Sequence, residues 1–137
     1  MRKLSVRLFF AVAAIFAFTA SNAFAENSVK ITEPAAGAMV SGNVKVCLAA
    51  NGVTVEPAKN GVNAGKGHHH LLIDADLPAD LSKPIAKDDQ HVHMGDGSTC
   101  KELKLAPGKH TIRALFATGD HVPYNPALTD SVEVTIK

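Results

Sequence analysis

The chain has 137 residues, with 14 Lys and Arg against 13 Asp and Glu. The near-balanced charge, with no basic patch, excludes a nucleic-acid surface. So does the scarcity of aromatic residues, among which Tyr124 is the single tyrosine.

Residues 1–25 read as an export signal. Arg2, Lys3 and Arg7 make a positive start, residues 8–20 are apolar and uncharged, and Ala23-Phe24-Ala25 offers small residues at the two positions a signal peptidase reads. The uncharged run is also just long enough for a membrane anchor. The cleavage site and the lack of a following stop-transfer pattern point instead to removal. No lipobox cysteine lies near the cut. Removing the first 25 of 137 residues leaves 112, one domain over 26–137 with room for a single modest core. It also takes three of the 14 basic residues, leaving 11 against 13 acidic ones. The implied place is a bacterial periplasm or the cell exterior, with no membrane contact after cleavage.

The remainder reads as short strands. Apolar and polar residues alternate over 29–32 and 44–48, the second placing Val44, Val46 and Leu48 on one face. Further strands are expected over 67–74, 90–94, 102–105, 111–117 and 131–136, and Gly, Pro, Asn and Asp separate them. No ten-residue window carries helical periodicity, and Ala79-Asp80-Leu81 offers at most one helical turn. About seven short strands argue for an all-β chain, an antiparallel immunoglobulin-like sandwich. Two connections are long, 51–66 and 75–89, and such loops in a small domain tend to be functional or mobile. An even cysteine count in an exported chain favours a Cys47–Cys100 disulfide. The alternative, two thiolates on a soft metal, lacks a C-x-x-C spacing.

Five of the seven histidines lie in Gly67-His68-His69-His70-Leu71-Leu72-Ile73-Asp74 and His91-Val92-His93-Met94. Residues two apart on a strand share a face. His69, Leu71 and Ile73 therefore form the core face, and His68 and His70 lie on the more polar side with Asp74. His91 and His93 share a face likewise. Two His-x-His pairs on neighbouring strands, converging at one end of the sandwich, would make a four-nitrogen metal site, with His121 a further ligand or a cover. Imidazole suits copper and zinc, and tetragonal nitrogen sites suit Cu(II). Met94 or Met39, if either approached, would favour Cu(I). The competing reading is a hydrogen-bonded histidine network with Asp88, Asp89 and Asp96 as partners. His110, after the Pro107-Gly108 turn, is expected to point inward and bond to backbone.

The ordered motifs Gly67 to Asp74, Asp89-x-His91-x-His93-x-Gly95-x-Gly97-x-Thr99, Leu105-x-Pro107-Gly108-Lys109-His110-Thr111 and Gly119-Asp120-His121-x-Pro123 resemble a family of small exported bacterial domains of unknown function. The resemblance spans roughly residues 31–136 and implies an exported β domain. The chain departs from that pattern at Val122 or Tyr124, where many relatives carry a further histidine, and in having Cys47 and Cys100. His91-Val92-His93-Met94-Gly95-Asp96-Gly97 is locally similar to the copper strand of copper-zinc superoxide dismutase. The expected function is a periplasmic copper or zinc carrier or buffer, its expected partners the ion and another periplasmic protein. The alternatives are an envelope binding or structural module without metal, and a metal-dependent enzyme in which Asp89 or Asp120 would be the nearest base.

Overall fold

The computed structural model describes residues 23 and 25–137; the body of the expected export signal lies outside the described residues. The strands are β1 (Ser28–Glu33), β2 (Ala38–Val40), β3 (Val44–Asn51), β4 (Thr54–Val55), β5 (Lys66–Ile73), β6 (His91–His93), β7 (Cys100–Leu103), β8 (Gly108–Ala117) and β9 (Thr129–Ile136). They form two sheets. One has the order β1-β3-β7; the other runs β2-β9-β8-β5-β4, with β6 also pairing to β5. The first order matches strands A-B-E of the immunoglobulin fold, and β9-β8-β5-β6 matches G-F-C-C′. The chain is an all-β, immunoglobulin-like sandwich. The two strands beyond the expected seven, β2 and β4, have three and two residues. Runs this short carry no readable alternation.

The expected helical turn at Ala79-Asp80-Leu81 does not form. There the Asp80 carboxylate accepts the backbone N–H of Ser82 at 2.9 Å, an Asx-turn that competes with helix. The one helical turn among the described residues is a 3-10 turn at Ala58–Asn60.

Alternation places the core where the sequence expects it. Val29, Val44, Val46 and Leu48 of the small sheet pack against Leu71, Ile73, Ile112, Ala114, Phe116, Val134 and Ile136 of the large one. The large sheet is also covered on its outer face. Leu72, Leu115 and Ala117 are buried there beneath Ile85, which the long 75–90 connection folds back over the sheet. The central strand β5 is thus paired on both edges, by β8 on one side and by β4 then β6 on the other. Both of its faces are covered.

Cys47 and Cys100 face each other in the β3–β7 register and are bonded, 53 residues apart in sequence. No thiolate is left for a metal. In antibody domains the bridge joins the two sheets, whereas here it staples neighbouring strands of one sheet. Replacing both cysteines by alanine is expected to lower the urea unfolding free energy by about 4 kcal/mol through the freed chain entropy. A loss below about 1 kcal/mol would contradict that role.

Candidate metal centre

Strand pairing delivers the imidazoles. On β5 the residues alternate faces, and opposite them on β8 stand Ala117, Phe116 and Leu115 for His68, His69 and His70. His69 shares the inner face with Phe116, the two rings meeting edge to face at 5.2 Å. His68 and His70 occupy the outer face, which is not the polar surface expected: both are buried, and so is Leu72 beside them. The 75–90 connection and the 118–121 turn close over this face. The site therefore lies against the flat of the large sheet, not at an end of the sandwich.

β6 adds the next side chain. His93 stands directly opposite His70, and His91 opposite Leu72. Two turns of chain then matter. After β8, Thr118 to His121 fold tightly, with the His121 N–H donating to the Thr118 carbonyl at 2.8 Å and the Ile85 N–H donating to the His121 carbonyl at 2.9 Å. His121 sits in the left-handed region at φ 68°, a conformation unusual for a residue other than glycine. The turn delivers its ring onto β5 and β6. After β6, Gly95 lies flat against the His93 ring, and a Cβ there would overlap the ring atoms. The missing side chain at Gly95 is what leaves room for the His93 ring in this position.

His68, His70, His93 and His121 consequently converge, each offering one nitrogen within 4.8 Å of the others. His93 Nε2 lies 3.1 Å from His68 Nε2 and 3.0 Å from His121 Nε2. Nitrogens bound at 2.0–2.1 Å to one tetrahedral ion would stand about 3.3 Å apart, so small adjustments suffice to hold an ion. An imidazole nitrogen carries either one proton or one lone pair. With neutral rings, His93 Nε2 cannot make two full hydrogen bonds to two other Nε2 atoms, whereas a central cation would take every lone pair. Of the acidic partners expected for a network, Asp88 does bond a histidine, His91 Nδ1 at 2.6 Å, but Asp96 takes the Ser98 N–H at 3.0 Å, and none of Asp88, Asp89 and Asp96 is bonded to any of the four converging rings. Among the described residues the Nδ1 atoms of His68 and His70 are buried with no partner.

His91, expected among the ligands, stands outside this group. It is two residue pairs further along β5, and Asp88, three residues earlier, holds its ring. Met94 is packed in the inner core and Met39 is 64% exposed on β2, so neither thioether joins the site. His110 bonds to backbone as expected, through Nε2 to the Ala106 carbonyl at 2.7 Å. Its side chain is 14% exposed, and Nδ1 also reaches the Asp74 carboxylate at 2.7 Å. Asp74, expected on the site face, instead turns away at φ 52° to make this pair and to accept the Thr111 N–H.

The family model for the domain of unknown function DUF4399 matches residues 46–137. The chain belongs to that family. No curated protein matches the sequence. Among solved structures, the DUF4399 chain is similar to an endo-β-1,4-mannanase from Thermotoga petrophila, at TM-score 0.47 and 13% identity, over 85% of this chain and 21% of that one. It is also similar to fibronectin(III)-like modules of CbhA from Clostridium thermocellum, at TM-score 0.45 and 17% identity, over 83% of this chain and 48% of that one. The chain spans about a fifth and about half of their lengths.

Burial sets the charge state of the DUF4399 histidines. Loss of hydration lowers His68 and His69 to about 4, and His70 to about 2, with neighbouring imidazoles adding to the shift at His68 and His70. His93 is lowered by desolvation first, then by the nearby His121 and Lys87. His110 is raised by its bond to Asp74, then by the Ala106 carbonyl. For a lowered histidine the unfolded chain binds the extra proton. Its stabilising share is full above the unfolded pKa of about 6.5 and is lost as pH falls toward the folded value. Each such group contributes a slope of up to about 1.4 kcal/mol per pH unit. The opposite sign applies at His110, whose share is full below about 6.5 and is lost as pH rises through its raised value. Three buried histidines outweigh one. The apo protein is expected to lose melting temperature steeply between pH 6.5 and 4. Ring-proton NMR should show His110 titrating above 6.5 and the three β5 histidines silent down to about pH 5. A β5 histidine titrating near 6.5 would contradict this account.

Proposed function

We propose that this domain is an exported metal-binding protein, a carrier or buffer for copper and with lower preference zinc, acting through His68, His70, His93 and His121. The observation that carries the reading is the convergence of four imidazoles, two of them buried, with no carboxylate bonded to any of the four. Nitrogen-only donors without thiolate or thioether fit Cu(II) and Zn(II), and the divalent series places Cu(II) highest in affinity. The disulfide supports an oxidising compartment. The lack of a carboxylate base in the group favours holding an ion over hydrolytic chemistry. Two ligands on a fixed sheet strand and two on its rim make a preformed cradle, suited to pick up and pass on an ion.

Calorimetric titration of the apo protein near neutral pH is expected to give one saturable Cu(II) or Zn(II) site per chain, and binding should raise the melting temperature. His93→Ala and His121→Ala should each lower affinity by about 10–100-fold or more, while His91→Ala leaves it nearly unchanged. Gly95→Ala should mimic His93→Ala, because the added methyl displaces the ring. No saturable heat from either metal, with an unmoved melting temperature, would overturn the metal reading.

A further inference from the structure

Beside the four imidazoles lies a cavity of about 140 Å³. His70, His93, His121, His91, Lys87 and the 84–86 segment line it. We propose that the metal-loaded centre takes a small free anion in this cavity as an additional ligand, held between the ion and Lys87. This rests on the metal reading above.

Charge is the first argument. A divalent ion on four neutral imidazoles keeps its full +2, because none of the four donors is anionic. Among the described residues, no carboxylate lines the cavity. Asp88 is bonded to His91, Asp96 to the Ser98 N–H, and Asp120 to the Thr118 hydroxyl. All three are exposed. Lys87 adds a further positive charge on the cavity lining, where no acidic side chain stands. Two cations lining one small cleft attract an anion into it, since clefts lined by one sign of charge focus the field.

Access and size define the anion. Three of the four candidate ligands line the cavity, so a guest there would stand beside the ion they hold. A water's share of liquid volume is about 30 Å³, so the space holds the equivalent of about four or five waters. That suits a pseudohalide, a carbonate or a short carboxylate. His91, held by Asp88, is thereby a wall of the anion pocket and not a metal ligand.

The probe is sodium azide, titrated into Cu(II)-loaded protein and followed by visible absorption and electron paramagnetic resonance. A saturable azide-to-copper charge-transfer band with a changed copper spectrum is expected, all the copper remaining with the protein on filtration. Lys87→Gln, loaded to the same copper content, should bind azide about tenfold more weakly, the loss of one charged contact. If copper loads but azide alters neither spectrum, the anion site is refuted and the metal reading stands. If azide strips the copper, or binds Lys87→Gln with unchanged affinity, the cavity is not the anion's place. If copper does not load at all, the metal reading itself fails and this inference with it.

Discussion

Every property of the site follows from the position of one strand. β5 is hydrogen-bonded along both edges, and both of its faces are covered, the inner by the small sheet and the outer by the 75–90 connection and the 118–121 turn. A strand in that place ordinarily carries only aliphatic side chains. Here it carries three adjacent imidazoles, all buried. Each is denied water, so each is kept neutral, and a neutral imidazole has a free lone pair to give. The cost is real, because a buried polar group without a partner costs about 1–3 kcal/mol. A fold that tolerates this at His68 and His70 holds its ligands ready before any ion arrives.

The rest of the molecule supports that strand. β8 fixes its register over six residue pairs, placing Phe116 against His69 and Leu115 against His70. β6 needs only three residues to set His93 opposite His70. Ile85 closes the outer apolar patch and ties by its N–H to the His121 carbonyl, so the cover of the sheet and the fourth ring are coupled through one bond. The disulfide and the Asp74–His110 pair lie away from the site and hold the frame around it.

Much of this was legible in the residues. Period-two alternation separates His69 from His68 and His70, and it puts His91 and His93 on one face. The inner core follows from the same rule at Val44, Val46 and Leu48. What alternation cannot see is which of two same-face residues reaches across to a neighbour. His91 and His93 differ only in register, and register is set by pairing. One signal was present: Asp88 stands three residues before His91, placed to capture it. The burial of His68 and His70 is not legible because their cover is distant in sequence; that connection carries three large aliphatic residues, Leu77, Leu81 and Ile85, and nothing in it marks Ile85 as the one that becomes buried. β2 and β4 were not legible, because strands of two or three residues exist only through their partners. His121 was nameable as a candidate, but its arrival depends on a left-handed turn conformation that an ordinary histidine does not advertise. Gly95 shows its purpose only once the His93 ring lies against it.

The central claim is that one ion is held by imidazole nitrogen from β5, β6 and the 118–121 turn together. X-ray absorption at the copper edge of protein loaded with one equivalent tests it most directly. The account predicts a shell dominated by nitrogen at about 2.0 Å, with the outer-shell scattering of about four imidazoles, and the loss of one imidazole in His93→Ala. A shell of oxygen without imidazole scattering, or a spectrum identical in His93→Ala, would contradict it.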